Sequence, residues 1–176
     1  MEEVYLVKPD LSMEKEISLF RREFLDSKEE KMPGCSDLEK FSSASEWIEH
    51  TQKISSESTL PEGSVLSDQY VYFRKKDSKI VGMIVFRKIT EGDYLDLKGH
   101  IGYSVRPSER RKGYAKRMLE DILPECRKLN FKKIYINCNK NNEGSKRVIK
   151  SCGGKLEKTD YYPSIDTYEE KYILNL

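Results

Sequence analysis

The amino-acid sequence predicts an α/β (α+β) fold, in which helices pack against a mixed, mostly antiparallel sheet. Segments 68–74 and 79–87 are rich in aromatic and β-branched residues and flank a short turn, which is typical of an antiparallel hairpin. Residues 99–139 show the pattern strand, helix, strand. Such a βαβ unit predicts two parallel strands joined by a right-handed crossover. Amphipathic patterns with a helical period precede and follow these strands and predict further helices.

The size and composition of the chain indicate one domain that covers residues 1–176. Charged residues make up 35% of the chain and hydrophobic residues 37%. No apolar run approaches the roughly 18 residues that a membrane span requires, so we expect no membrane partner. The first ten residues contain two early acids and no long apolar segment, which argues against a secretory signal and favours a cytoplasmic protein.

The cysteines and histidines do not form a metal-binding pattern. The four cysteines include no CxxC pair, and only two histidines accompany them. We therefore expect no metal and predict reduced thiols, with a disulfide left open by the sequence. The residues concerned are Cys35, Cys126, Cys138, Cys152, His50 and His100.

The net charge of +2 hides an asymmetry along the chain. Residues 1–62 contain 15 acidic and 8 basic residues, whereas residues 63–176 contain 15 acidic and 24 basic residues. A basic C-terminal part suits an anionic cofactor, and an acidic N-terminal part suits an amine acceptor. The acidic part fits an ordinary solvated helix surface equally well. No long basic run with interleaved aromatic residues is present, so we expect no nucleic-acid partner.

The first third of the chain is predicted to contain one strand and two helices. Alternation over residues 3–8 indicates the strand, and apolar residues along one side of 13–31 indicate a surface helix. A Pro-Gly pair marks a loop at 32–37, and a shorter helix follows at 44–55. The polar, turn-rich segment 55–64 is the best candidate for a mobile loop.

The rest of the chain alternates strands and helices. After a connection at 89–97, the predicted elements are strand 99–105, a helix from Tyr114, strand 132–139, helix 143–152, a strand beginning at 155–158 and strand 166–174. Pro124 lies inside the first of these helical patterns and lacks a backbone donor, so we expect a bend or an earlier end there. Asn142 is a suitable N-cap for the last helix, and Gly153 follows its end.

The segment GHIGYSVRPSERRKGYAK, residues 99–116, is the stretch from which a function can be inferred. Its strand, Ile101 to Val105, ends before a basic turn, and a helix begins directly after Gly113. The first N–H groups of a helix lack intrahelical partners and lie at the positive end of its macrodipole. Glycine lets an anion approach the backbone closely, and three cationic side chains precede it. This arrangement predicts a phosphate or pyrophosphate site.

The pattern Arg110-x-x-Gly113-x-Ala115 is neither a Walker nor a Rossmann glycine motif. Placed after a strand with an Arg-Pro exit, it resembles the [Q/R]xxGx[G/A] motif of the GCN5-related N-acetyltransferase (GNAT) family. The order of predicted elements and the segment NNEGSKRVIKSCGG are also similar to that family. Within the family, residues 99–115 look most like a group of predicted bacterial acetyltransferases. Without this context, the motif would equally fit a solvated basic turn before an ordinary helix.

The resemblance implies a GNAT-like fold with a mostly antiparallel central sheet, one parallel βαβ pair and helices on both faces. It implies acetyl-CoA as cosubstrate, with the pyrophosphate held by backbone amides of the turn and by the charges of Arg110 and Lys112. The end of the preceding strand would pair with the pantetheine arm and direct a backbone N–H at the thioester carbonyl. Asn142 would contact the pantetheine, a role that can coexist with N-capping. The implied cofactor-binding residues are Ser104, Val105, Arg110, Arg111, Lys112, Gly113, Tyr114, Ala115, Lys116, Asn142 and Ser145.

The sequence departs from the family pattern at the catalytic acid. Many members carry a tyrosine on the last helix as the acid for the leaving thiolate, and Ile149 occupies that position here. Tyr103 and His100 are the candidate catalytic residues, with core packing and a structural role as their respective alternatives. His100 titrates near neutrality but lies on the opposite face of the strand from Tyr103. Other candidates for the acid are Cys152, Ser145, Tyr161, Tyr162 and water. Candidates for the base include Asp93, Asp96 and the acids within residues 23–49.

The implied activity is transfer of an acetyl group from acetyl-CoA to a primary amine by direct attack of the amine. We expect a small-molecule acceptor, because the N-terminal insertions are short. Ile149 motivates the alternative of a non-catalytic acyl-CoA-binding module. A third hypothesis is a basic adaptor without CoA affinity, which would bind nucleic acid with a strong salt dependence. Since many related proteins dimerise, a homodimer is compatible with the resemblance.

Overall fold

The computed structural model describes residues 2–176, which form the predicted sequence of strands and helices with one additional helix. The strands are β1 (Val4–Val7), β2 (Ser67–Arg74), β3 (Lys79–Arg87), β4 (Ile101–Val105), β5 (Lys133–Asn139), β6 (Lys155–Tyr162) and β7 (Thr167–Asn175). The helices are α1 (Glu14–Asp26), α2 (Ala44–Lys53), α3 (Asp93–Lys98), α4 (Tyr114–Lys128) and α5 (Glu143–Ser151). Within the described residues, no helix is both long enough and apolar enough to cross a bilayer.

The strands form two antiparallel sheets, in the orders β1–β2–β3–β4 and β5–β7–β6. The predicted hairpin is confirmed, since β2 pairs with β3 from Ser67 opposite Arg87 to Arg74 opposite Lys79. β4 is added to the free side of β3. In the second sheet, β7 is the central strand because β5 and β6 both pair with it. The predicted α/β architecture with mostly antiparallel strands is therefore confirmed.

The parallel pair expected from the βαβ unit is the part of the sheet prediction that is wrong. β4 and β5 meet only at one end, where Gly99 and Ile136 form a single bridge of antiparallel geometry. His100 donates its N–H to the carbonyl of Tyr135 at 2.7 Å, but the Tyr135 N–H donates to Nδ1 of His100 at 2.8 Å. The backbone carbonyl of His100, the next possible acceptor, is bound by the Arg87 N–H of β3 at 2.7 Å, and no ladder between β4 and β5 follows within residues 2–176. The rest of β4 therefore has an open edge.

Helices cover both faces of the first sheet, as predicted. α1 and α2 pack on one face through a buried cluster that includes Phe20, Trp47 and Met83. α4 and α5 pack on the other face, and their cluster, which includes Met118 and Ile149, also contains residues of β5 and β7. Because this second core reaches both sheets, it fixes their positions on either side of the open edge of β4.

Two local features differ from the sequence prediction. Residues 93–98, expected to be a connection, form α3, which Gly92 and Gly99 bound with positive φ angles of 101° and 66°. α4 continues through Pro124 for a further turn instead of ending early. Pro124 leaves the carbonyl of Glu120 without its helical donor, and both residues are exposed. Water can therefore satisfy that carbonyl, which makes the proline tolerable in the helix.

Candidate active site

The turn between β4 and α4 presents a row of free backbone N–H groups. Arg111 and Gly113 have positive φ angles of 65° and 83°, and turns of this kind create anion-binding concavities. Among residues 2–176, the N–H groups from Arg111 to Lys116 have no protein acceptor. Tyr114 and Ala115 belong to this row through their backbone, since the Tyr114 side chain is buried. A Cβ on Gly113 would meet nothing within 4 Å, so the space beside the helix start is open.

A buried carboxylate, Glu109, fixes this turn to the β2–β3 hairpin. It accepts hydrogen bonds of 2.8 Å from Arg74, Lys79 and Lys112. Arg74 also donates to the hydroxyl of Tyr114 at 2.8 Å. The hydrogen bonds from Arg74 hold the pKa of Glu109 well below its ordinary value, although burial opposes the shift. The turn is therefore held in shape by ion pairs within the chain.

Carboxylates of α1 and of the segment after it bind the arginines beside the turn. The buried Arg106 donates Nε to Glu23 at 2.6 Å and Nη1 to Glu16. Arg110 forms a bidentate pair with Glu29 at 2.6 and 2.8 Å. Burial raises the pKa of Glu23, but the hydrogen bond from Arg106 contributes to a net lowering. These acids of the N-terminal part therefore clamp the turn, and Glu23 and Glu29 are not free to act as bases.

The side chains of the turn contribute less positive charge than the sequence predicts. Arg110 and Lys112 are paired with carboxylates, as described above. Lys116 lies 3.6 Å from Glu120. Arg111 is exposed, and within the described chain no carboxylate lies within 4.0 Å of it. Backbone amides, more than side-chain charge, are therefore the principal feature of this turn.

The open edge of β4 leads from the turn into the space between the two sheets. Arg106, directly after β4, donates its N–H to β3 at 2.9 Å. Since donors alternate along an antiparallel strand, the N–H groups of Tyr103 and Val105 point away from β3, toward the open edge. Ser104, predicted as a cofactor contact, donates its hydroxyl to the carbonyl of Pro33 at 2.6 Å, on the face that α1 and α2 cover.

Tyr103 spans the gap between β4 and α5. Its hydroxyl lies 2.8 Å from Oγ of Ser145, and Ser145 donates its N–H to Oδ1 of Asn142 at 3.0 Å. Asn142 is thus the N-cap of α5, as the sequence predicts. Burial raises the pKa of Tyr103, so its hydroxyl is protonated at neutral pH. A protonated hydroxyl therefore stands beside the cleft between the sheets.

The other candidates for the acid lie elsewhere. Ile149 is fully buried in the core and has no proton to donate. Cys152 is half-buried beside the first turn of α4. Tyr161 and Tyr162 lie on β6, where the Tyr162 hydroxyl donates to the carbonyl of Asp96 on α3 at 2.8 Å. Tyr103 and Ser145 are thus the pair of candidates that the structure brings together.

His100 is buried, and protein atoms engage both of its ring nitrogens. Nδ1 accepts the N–H of Tyr135, and Nε2 lies 3.0 Å from the carbonyl of Ile89. Burial lowers the pKa of His100 to about 4. The ring is therefore neutral near pH 7 and sits between β4 and β5, with Phe131 packed against it edge to face.

Glu169 on β7 is a half-buried carboxylate for which the sequence pattern predicts no role. Its neighbour Glu170 faces α5, where Lys146 lies 3.4 Å away, so strand alternation turns Glu169 to the opposite face. Burial raises the pKa of Glu169, and the charge of Lys98 on α3 opposes the shift. Within residues 2–176 no cation lies within 4.0 Å of it. The sequence signal that could have revealed it is a pair of adjacent acids in a predicted strand, because neighbouring strand residues face opposite sides of the sheet.

An amide-lined helix start that adjoins an open strand edge agrees with the family suggested by the motif. The sequence profile of the acetyltransferase (GNAT) family matches residues 32–153, which is more than half of the chain. The chain belongs to the GNAT acetyltransferase family. The match includes the whole turn and the start of α5, so the resemblance drawn from these segments is confirmed. No curated protein matches this GNAT chain at the sequence level.

Solved GNAT structures are similar to this chain over nearly their whole length. The microcin C7 self-immunity acetyltransferase MccE, solved with acetyl-CoA and AMP, is 18% identical, with 100% of this chain and 94% of that chain covered and a TM-score of 0.75. A ribosomal-protein-S5-alanine acetyltransferase from Vibrio fischeri is 17% identical, with 99% and 94% covered and a TM-score of 0.75. A dodecameric spermidine N-acetyltransferase from Vibrio cholerae is 13% identical, with 98% and 93% covered and a TM-score of 0.66. These likenesses show a shared fold.

Proposed function

We propose that the protein transfers the acetyl group of acetyl-CoA to a primary amine by direct attack of the amine. The observation that carries the proposal is the row of free N–H groups from Arg111 to Lys116 at the end of an open strand edge. A helix start alone would suit any phosphate. Its continuity with an unpaired strand favours a ligand that joins a pyrophosphate to an extended, amide-containing arm. Acyl-CoA has this chemistry.

The residues present fit acetyl-CoA. The donors of the turn suit a pyrophosphate, and Gly113 leaves open space beside them. The N–H groups of Tyr103 and Val105 suit the carbonyl oxygens of the arm and of the thioester. Asn142 and Ser145 stand on the α5 side of the same cleft. When bound, acetyl-CoA supplies the activated acetyl group and a thiolate leaving group.

Tyr103 is the residue that we assign as the acid at the leaving sulfur. Its hydroxyl is protonated at neutral pH, faces the cleft and is oriented by Ser145. It takes over a role for which the buried Ile149 has no suitable group. Protonation of the thiolate by water is the alternative, and removal of the hydroxyl separates the two.

Glu169 is the residue that we assign as the base, whereas His100 has a structural role. Both nitrogens of His100 are engaged by backbone groups, which leaves no lone pair for an incoming amine. Glu169 has no cation partner within the described residues, and burial raises its pKa, as a base that works near neutral pH requires. Asp96 is less suitable, because its hydrogen bond from Lys171 at 2.7 Å lowers its pKa.

A small-molecule acceptor and a cytoplasmic location belong to the same proposal. The loop at 32–37 covers β4 closely, since a Cβ on Gly34 would lie 2.2 Å from the carbonyl carbon of Gly102. Gln69 donates to the Gly34 carbonyl at 3.1 Å and holds the loop in place. The limited room over β4 favours a small acceptor over a protein chain. The free cysteines suit a reducing compartment.

Calorimetric titration of acetyl-CoA into the wild type and into Gly113→Glu tests the proposal. The variant places a carboxylate among the N–H donors, so we expect affinity to fall by at least about 100-fold, or about 2.7 kcal/mol. Gly153→Glu is the matched control, because Gly153 also has a positive φ angle, 90°, and open space around its Cβ position. We expect this control to bind like the wild type. A wild type without affinity for acetyl-CoA, or equal binding by both variants, would overturn the proposal.

A further inference from the structure

Arg87 is a half-buried arginine near the site that has no carboxylate partner within residues 2–176, whereas Arg111, which also has none there, is exposed. Arg74, Arg106 and Arg110 each bind a carboxylate at 2.6 to 2.8 Å. Arg87, at the end of β3, is half-buried, yet within residues 2–176 no carboxylate lies within 4.0 Å of its guanidinium. Burial lowers the pKa of Arg87, while a hydrogen bond with the hydroxyl of Tyr94 and the more distant charge of Asp37 oppose the shift. A cation in such surroundings is stabilised when an anion approaches it.

One terminal nitrogen of the Arg87 guanidinium is bound by backbone carbonyls, whereas the other has no such partner within the described residues. Nη1 donates to the carbonyls of Lys98 and Gly99 at 3.2 and 3.3 Å, which fixes it at the end of α3. The ring of Tyr94 lies 5.8 Å from the guanidinium carbon. Nη2 has no carbonyl or carboxylate partner within the described chain and lies beside Gly102 of β4. The side chain is therefore positioned and still has donors to offer.

Gly102 places this free donor next to the reactive part of the cleft. A Cβ at Gly102 would lie 3.1 Å from Nη2 of Arg87 and 3.1 Å from Cα of Gly34, so the space between the strand backbone and the guanidinium is too narrow for a side chain. The next residue, Tyr103, directs its N–H to the open edge. An anionic group on Arg87 would thus lie one residue along β4 from the Tyr103 N–H, which is one of the two donors that we assign to the carbonyl oxygens of the arm and of the thioester.

We infer that Arg87 binds the carboxylate of the acceptor, and that the acceptor is an amino acid: a small amine that carries a free carboxylate. The inference rests on the proposed acetyl transfer and names its substrate class. A guanidinium binds a carboxylate through two parallel hydrogen bonds, which fixes the direction of the attached amine. The close cover of β4 by the loop at 32–37 favours an acceptor of small size.

The test compares acceptors that differ only in the carboxylate. Release of CoA thiol is measured with glycine, L-alanine and β-alanine and with the corresponding carboxamides, at saturating acetyl-CoA. We expect kcat/KM for at least one amino acid to exceed that of its amide by about 10- to 100-fold, the range of a charge-assisted hydrogen-bonded pair. In Arg87→Gln this preference should disappear, so that the ratio of kcat/KM for the acid to that for its amide falls to about one.

The variants separate recognition from a merely structural role. If Arg87 only stabilises the end of α3, Arg87→Gln lowers the rates on the acid and the amide together and leaves their ratio unchanged. Arg87→Lys keeps the positive charge but cannot form two parallel hydrogen bonds with a carboxylate. We therefore expect this variant to show part of the wild-type preference for the acid, in contrast to Arg87→Gln. Arg127→Gln, an exposed position on α4, is the control and should leave both rates unchanged.

The outcomes distinguish failure of the inference from failure of the proposed function. Acetyl-CoA binding without acetylation of any of the amino acids, or equal rates on acids and amides in the wild type, would overturn the inference and leave the cofactor site intact. Absence of acetyl-CoA binding would overturn the proposed function and the inference with it. Loss of the preference in Arg87→Gln alone supports the inference.

Discussion

The two ends of β4 are built in opposite ways. Its C-terminal end runs into a turn that ion pairs hold from two sides, with Glu109 binding three cations and Glu29 binding Arg110. At its N-terminal end, the neutral ring of His100 interrupts the pairing with β5. One end is fixed by charge, and the other is opened by an uncharged side chain.

This contrast shows how one strand can bind a ligand that has two unlike parts. A doubly charged pyrophosphate is best bound by donors that are already in place, since no energy is then spent on ordering them. An extended arm needs a strand edge that lacks a partner, and a protein must keep that edge from pairing with its own chain. Tyr103 and Val105 lie between the two ends and offer the unpaired donors.

Neutralisation of Glu109, which holds the turn after β4, should give the largest loss of stability. Glu109→Gln leaves Arg74, Lys79 and Lys112 without their shared counter-charge, so we expect a loss of about 3–5 kcal/mol in the free energy of unfolding. Urea denaturation followed by fluorescence measures it. Glu120→Gln removes an exposed pair and should change stability by less than about 0.5 kcal/mol. Equal effects in the two variants would contradict the account.

A fall in pH should destabilise the N-terminal end of β4, where the ring of His100 is buried. Because the pKa of buried His100 is about 4 and its ordinary value is 6.5, the unfolded chain binds the proton first as the pH falls. The contribution of neutral His100 to the free energy of unfolding is therefore complete above pH 6.5. The free energy of unfolding falls by up to about 3 kcal/mol as the pH approaches 4. His100→Gln should show a flatter pH dependence of the unfolding free energy over this range. A profile as steep as that of the wild type would contradict the assignment.

Removal of the Tyr103 hydroxyl tests whether Tyr103, which lies between the two ends of β4, is the acid that protonates the leaving sulfur. We expect Tyr103→Phe to lower kcat by about 100-fold, because a positioned proton donor contributes at least that much, while KM for acetyl-CoA stays the same. Tyr161→Phe removes a hydroxyl that binds Asp166 outside the cleft and serves as the control. An unchanged kcat in Tyr103→Phe would show that water protonates the leaving group.

Arg111 should have the smallest effect of these changes. It is the cation of the turn without a carboxylate partner in the described residues, but it is exposed, so its interaction with an anion is screened by solvent. We expect Arg111→Ala to raise KM for acetyl-CoA only about two- to five-fold. A loss as large as that of Gly113→Glu would show that side-chain charge, and not the backbone, holds the pyrophosphate.

The sequence was sufficient for the features that depend on neighbouring residues. The hairpin over 67–87, the start of α4 at Gly113 and the cap at Asn142 follow from local patterns, and the structure has each of them. The partners of the turn could not be predicted, because Glu29 and Arg110 are brought together only by the packing of α1 against the sheet. Neither could the open edge of β4, because it depends on the three-dimensional arrangement in which the carbonyl of His100 binds β3 and its ring binds β5.

An amide NMR titration with CoA tests directly whether the free N–H groups of the turn bind the pyrophosphate. We expect the amide resonances of residues 111–116 to shift together and to become protected from hydrogen exchange, because their N–H groups gain acceptors. Those of Tyr103 and Val105 should follow, whereas the amide of Arg106, which already donates to β3, should stay unchanged. Saturable CoA binding that leaves residues 111–116 unshifted would contradict the account.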